Sequence, residues 1–285
     1  MRLFLLILHL LVGVAKAALV LPLVEKSRRT AMIRAWSVRV LAILRVELVV
    51  KGQPDASSRS ALFVANHVSW LDIYLLDAVC PVRFVSKAEV RTWPVIGWLA
   101  AKVGTLFIER ARRHDTGRMN QTVAEALIRG DLVALFPEGT TSDGSLLRPF
   151  HAPLLQAAID SGARLWPVAI RYAKPDGSPN PAPAYVDKMS FGESLSRILG
   201  EPRLVAEVTY LDPLPSQGLN RRELAAIAEQ TIASALSLPA PCRRPGKPAD
   251  PPGVPPSGSL PTGSPCPARS DCCVPPAPVP TSDRK

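Results

Sequence analysis

Four hydrophobic patterns succeed one another along this 285-residue chain. From Met1 to Val24 apolar side chains run almost unbroken, interrupted by Arg2, His9, Lys16 and Pro22. That length suits a helix anchored in a bilayer, and Lys16 leaves open whether it crosses the membrane or lies in its surface. Residues 30–44 set Met32, Ile33, Trp36, Val40, Leu41 and Leu44 at helical spacing among basic residues. A second, amphipathic helix is expected there, either on the membrane surface or packed on a domain. The third stretch alternates short β-rich runs with helical ones. The expected strands are Val46–Val50, Ala61–Ala65, Arg83–Ser86, Val103–Ile108, Leu132–Phe136, Leu165–Arg171 and Leu204–Leu211. Helical patterns lie between them near 70–79, 115–129, 153–160, 190–199 and 220–236. Such alternation predicts an α/β fold, a mostly parallel central sheet flanked by helices and preceded by N-terminal membrane-associated helices. Finally, residues 239–285 hold fifteen of the chain's thirty prolines and few large apolar groups. That segment cannot bury enough surface to offset its ordering entropy and reads as a disordered tail. The expected organisation is therefore 1–45 membrane-associated helices, 46–238 a catalytic domain, and 239–285 a Pro-rich tail.

Charge sharpens the first pattern. Residues 1–51 carry nine Lys/Arg against two Asp/Glu, residues 52–238 carry nineteen of each, and residues 239–285 carry six against three. A nucleic-acid enzyme usually carries a basic stripe through its folded body, so nucleic acid is not an expected partner. The excess sits instead beside the greasy N-terminus, where anionic headgroups would attract it, or where it is the ordinary solvated face of a basic helix. Lys26, Arg28, Arg29, Arg34 and Arg39 place that end on the cytoplasmic side. Ala15-Lys16-Ala17 loosely imitates a signal-peptidase site, but a lysine separates the alanines and the apolar run continues beyond. An uncleaved anchor is the expectation. Only Cys80 falls in the expected domain, against four cysteines in the tail, which suits a reducing compartment and no disulfide framework. No spacing suggests a zinc cluster, a dinucleotide fingerprint or a P-loop, so no cofactor is expected.

The chemistry concentrates in ALFVANHVSWLDIYLL, Ala61 to Leu76. An apolar strand ends at Ala65 and a helix begins near Trp70. Ser69 then reads as an N-cap, with Asp72 three residues on as in a capping box. The same spacing lets Asp72 reach His67 across the turn. A carboxylate on one ring nitrogen fixes the tautomer and stabilises the imidazolium, leaving the other nitrogen to take a proton from an attacking hydroxyl. No G-x-S-x-G nucleophile elbow is present, so His67 would activate a substrate hydroxyl directly.

With NHVSWLD (Asn66–Asp72), GTLFIER (Gly104–Arg110), FPEGTTS (Phe136–Ser142) and LWPVAI (Leu165–Ile170) in this order, the chain resembles the lysophospholipid acyltransferase family, in particular the 1-acyl-sn-glycerol-3-phosphate acyltransferases. The resemblance implies a membrane enzyme on the cytoplasmic face of a bacterial inner membrane. It would move an acyl group from acyl-CoA or acyl-carrier protein to the sn-2 hydroxyl of lysophosphatidic acid, giving phosphatidic acid. Another lyso-lipid acceptor, such as lyso-ornithine lipid, is an alternative on the same machinery, and a catalytically silent membrane scaffold is a third. His67 and Asp72 are the implied catalytic residues, while Gly104, Arg110, Glu138, Gly139, Thr140 and Lys87 are the candidate substrate-binding residues. Arg110 offers a planar fork for a phosphate, or is a surface arginine beside Arg112 and Arg113. Gly139 with Thr140, Thr141 and Ser142 offers an anion nest, or a solvated turn. Glu138 belongs by resemblance to the acceptor site, on a glycerol hydroxyl or holding Arg110. Lys87 adds a cation near the acceptor, or simply starts a helix. One departure stands out: after the third motif the family usually places Phe-Lys and a glycine, where this chain has RPFHAPLLQAA with His151 in the lysine's place.

Overall fold

β2 (Ala61–Ala65) is buried at all five positions, as a strand flanked on both sides and covered on both faces must be. A computed structural model describes residues 1–54, 60–108, 113–186, 188–239 and 241. In it β2 is the middle strand of seven, in the order β1-β7-β6-β2-β5-β3-β4. The others are β1 (Val46–Lys51), β3 (Arg83–Lys87), β4 (Leu106–Ile108), β5 (Leu132–Leu135), β6 (Arg164–Ala173) and β7 (Leu204–Tyr210). Every pairing is parallel except β6 with β7. Alternate residues of β2 feed opposite cores. Leu62 and Val64 join the layer of α5 (Arg113–Ile128), α6 (Gln156–Ser161) and α8 (Arg221–Leu236). Ala61, Phe63 and Ala65 join that of α2 (Lys26–Leu44), α3 (Leu71–Val79) and α7 (Phe191–Gly200). The expected α/β fold with a mostly parallel sheet is the one observed.

All seven expected strands are present, and β4 is the one shortened by more than a residue. β4 begins at Leu106 rather than Val103, because Gly104 turns the chain at φ 95° and the Thr105 N–H still bonds Ala100 at 3.0 Å. An additional helix, α4 (Ile96–Lys102), follows a short 3-10 turn at Ala88–Thr92. Pro94 and Gly97 conceal it in the sequence. Gly97 is nonetheless required, since a Cβ there would sit 2.3 Å from the Arg91 carbonyl oxygen.

The N-terminal helices form a hairpin. α1 (Arg2–Leu19) turns through Leu21–Leu23 into α2, and α2 packs on α3 through Val40, Leu41 and Leu44. The α1 segment, Arg2–Leu23, is long and apolar enough to cross a membrane by length and composition, and most of it is exposed. Arg2 fastens its first turn to the domain by donating to the carbonyls of Leu199 and Glu201. The imidazole of His9 stacks on Trp36 with ring centroids 5.3 Å apart, and Gly13 leaves room for the same indole. The expected Pro-rich tail, 239–285, lies outside the described residues apart from Pro239 and Pro241.

Candidate active site

The site is assembled where β2 and β5 end, at the carboxyl edge of the parallel strands, where open α/β sheets usually bind their ligands. Asn66 continues β2 by proxy. Its buried amide donates to the Ile170 carbonyl at 2.9 Å and accepts the Ile170 N–H at 2.8 Å. A side chain thereby replaces the next rung of the β2–β6 ladder, and the main chain is free to turn at His67.

Asp72 closes that turn. It is fully buried and accepts four hydrogen bonds. Oδ2 takes the N–H groups of Val68 (2.8 Å) and Ser69 (3.0 Å) and lies 2.8 Å from His67 Nδ1. Oδ1 takes the Tyr172 hydroxyl at 2.7 Å. The Ser69 hydroxyl accepts the Leu71 N–H at 3.3 Å, although Trp70 rather than Ser69 is the N-cap. The two sequence readings of Asp72 therefore coexist, since one carboxylate both ties the helix start and faces the imidazole. Burial, reinforced by the Asp72 charge, pushes the Tyr172 hydroxyl well above the usual phenol range, so it stays a donor.

The third motif grips the same histidine from the other side. The Phe136 ring stacks on the imidazole with centroids 3.9 Å apart and an 11° interplanar angle. Glu138, only 4% exposed, uses Oε1 for the His67 N–H (2.7 Å) and Oε2 for the Arg148 N–H (3.0 Å). The Ser142 N–H donates to the His67 carbonyl at 2.8 Å. Both peptide groups of His67 are thus held by FPEGTTS, while its side chain stays 20% exposed. Nε2 has no hydrogen-bond partner among the described residues. Burial pushes the Glu138 carboxyl up to about 7, against the two N–H donors that favour its charge.

Not every expected site residue comes to this edge. Gly104 lies two residues before β4, toward the amino ends of the strands, where its carbonyl accepts Arg83 Nε at 2.8 Å. Its positive φ of 95° makes it a turn residue there, apart from the residues gathered at the carboxyl edge. Lys87, at the carboxyl end of β3, is exposed on the same edge as His67. Gly139 turns the chain with φ 76°, and Thr140 is exposed. The expected hydroxyl nest is smaller than the sequence suggested, because Thr141 donates to the Tyr185 carbonyl and Ser142 faces His67. Arg110 lies outside the described residues. His151 is exposed, and its N–H bonds the Pro137 carbonyl at 2.9 Å. Asn66, Phe136 and Tyr172 are the additions that sequence reasoning did not assign. Only Asn66 and Phe136 carried a signal, as members of the motifs.

A His–Asp pair at a strand end of a parallel α/β sheet, with the acyltransferase motifs in order, defines the class of this protein. A family model described as Acyltransferase matches residues 47–171. The chain is 45% identical over 208 residues to a lyso-ornithine lipid O-acyltransferase of Pseudomonas aeruginosa, covering 73% of this chain and 79% of that one. It is 40% identical over 186 residues to a 1-acyl-sn-glycerol-3-phosphate acyltransferase of Neisseria gonorrhoeae, covering 65% and 72%. Among solved structures, the 1-acyl-sn-glycerophosphate acyltransferase PlsC of Thermotoga maritima shares the fold, with a TM-score of 0.56 at 21% identity over 83% of this chain and 97% of that one. The chain belongs to the lysophospholipid-type acyltransferases.

Proposed function

We propose that this protein acylates the free hydroxyl of a lyso-ornithine lipid from an acyl thioester, with His67 as general base and Asp72 as its orienting carboxylate. The observation that carries the mechanism is the 2.8 Å contact between His67 Nδ1 and Asp72, with Nε2 directed away from that bond. In the proposed step Nε2 takes the proton as the acceptor oxygen attacks the thioester carbonyl. The tetrahedral intermediate then collapses, forming the ester and expelling the thiolate, which recovers the proton from the imidazolium. Asp72 stabilises that imidazolium, and Phe136 with Glu138 hold the ring in position. Glu138 is accordingly assigned to the histidine rather than to the acceptor, since both of its oxygens are engaged by backbone N–H groups. Arg110, Lys87, Gly139 and Thr140 remain the proposed acceptor contacts, and acyl-CoA or acyl-carrier protein the donor.

The lyso-ornithine acceptor is favoured by the 45% identity to the Pseudomonas aeruginosa protein. A second reading, 1-acylglycerol-3-phosphate as acceptor, is supported by the 40% identity to the Neisseria protein. Its product would be phosphatidic acid. The basic residues near the N-terminus favour the cytoplasmic face of the inner membrane for either. Purified enzyme assayed with both acceptors and one labelled thioester separates them. A higher kcat/KM for the lyso-ornithine lipid is expected, and the reverse order would transfer the assignment to lysophosphatidic acid.

A further inference from the structure

The segment joining β3 to β4 is apolar at its surface in a way that packing within the domain does not use. Trp93, Val95, Ile96 and Trp98 are 48%, 47%, 43% and 39% exposed, although each is a side chain that water disfavours. They belong to one short stretch, the turn that follows Ala88–Thr92 and the start of α4. From Val90 to Ile108 the chain has no Asp or Glu, and its two charges are Arg91 and Lys102. Both cations stand over aromatic rings. The Arg91 guanidinium is 5.9 Å from the Phe107 centroid, and the Lys102 ammonium is 5.6 Å from that of Trp98. Next to this lobe runs α1, which packs against α4 and exposes Phe4, Leu8 and Leu11.

We propose that the Trp93–Lys102 lobe is a second membrane contact, seated in the interfacial layer of an anionic phospholipid bilayer beside α1. Three features select lipid as the occupant. Tryptophan is the side chain that prefers the headgroup boundary, since its ring is apolar and its N–H still wants a polar partner. Arg91 and Lys102 supply charge complementary to anionic phosphates while their stems lie along apolar surface. The lobe is also continuous with α1, whose exposed apolar face requires a lipid environment in its own right.

The placement bears on the reaction. The lobe leaves the sheet directly after Lys87, at the carboxyl edge of β3, and β3 runs parallel to β5 and through it to β2. His67 and Glu138 follow the same ends of β2 and β5. Seating the lobe in the interface therefore brings that edge to the level where a lyso-lipid's headgroup and hydroxyl reside. The proposal rests on a membrane-borne acceptor, but its test reads lipid contact directly, so each can fail without the other.

The full chain, reconstituted in phosphatidylcholine–phosphatidylglycerol vesicles brominated in the upper acyl chain, provides the test. α1 carries no tryptophan, and Trp36, which stacks on its His9, is common to both proteins, so the difference between them reports Trp93 and Trp98. The Trp93→Phe/Trp98→Phe protein is expected to lose most of the tryptophan quenching seen in the wild type. A second pair, Trp93→Ser/Trp98→Ser, is expected to turn over vesicle-borne acceptor roughly tenfold more slowly, while keeping wild-type turnover of the same acceptor in detergent micelles. Equal quenching in the wild type and the phenylalanine pair would overturn the proposal. So would a concentration-dependent dimer that shields both tryptophans from the brominated lipid.

Discussion

The backbone N–H of His67 donates to Glu138 Oε1 at 2.7 Å, which makes a residue of the third motif part of the scaffold of the first. The same carboxylate takes the Arg148 N–H, so one buried side chain holds the histidine turn and the loop after FPEGTTS together.

Replacing Glu138 by Gln tests this division of labour. The amide retains one acceptor oxygen and presents an NH2 to the other N–H, leaving a buried donor unpaired. That costs about 1–3 kcal/mol in whatever state needs the turn intact. The expected result is a kcat lower by roughly ten- to a hundredfold, with acceptor KM nearly unchanged. A raised KM at wild-type kcat would instead return Glu138 to the acceptor.

The four donors around Asp72 are unequal. Asp72→Ala removes the acceptor that fixes the imidazole's tautomer and is expected to lower kcat by roughly 10³–10⁴. Tyr172→Phe deletes a single buried hydrogen bond to Oδ1 and leaves the imidazole contact on Oδ2 in place. A loss of about three- to tenfold is expected, corresponding to one ordinary hydrogen bond. Comparable losses in both variants would show that Oδ1, not Oδ2, governs the histidine.

These residues also mark what a sequence can disclose. β2 and β5 are legible because buried parallel strands are short, continuous apolar runs, and His67 with Asp72 is legible because five residues span one turn into a helix. Tyr172 is a hundred positions from Asp72 and meets it only through the β2–β6 register, which no local pattern encodes. Asn66 acts by imitating a peptide of the neighbouring strand, so its partner is equally remote. α4 was hidden because Pro94 and Gly97 read as breakers, whereas Gly97 permits a close approach to the Arg91 carbonyl. Gly104, which lies before β4, makes a related point. Membership of a motif does not say which edge of the sheet a residue occupies.

Asp77, remote in role from the chemistry, makes a prediction about stability. It is buried in α3 with the Val82 N–H at 3.1 Å from Oδ1, and desolvation pushes its carboxyl up to about 7. The unfolded chain releases this proton near pH ~4, so between roughly 4 and 7 the native state holds a proton that the unfolded state lacks. Stability from this group therefore falls as pH rises through that window and levels off above about 7. Asp77→Asn keeps an oxygen for Val82 and discards the buried charge. Urea unfolding is expected to show the variant more stable by roughly 2–4 kcal/mol at pH 8, the gap closing toward pH 4. Glu138 adds a slope of the same sign to both proteins, so their difference isolates Asp77. A gap independent of pH would contradict the assignment.

The central claim is that His67 is the base, and its most direct measurement is the turnover of His67→Ala with a labelled acyl thioester and lyso-lipid, with and without added imidazole. The expected result is a protein that folds and binds membranes as the wild type does, with kcat lower by roughly 10²–10⁴ and partly restored by imidazole. Near-normal turnover without imidazole would contradict the account.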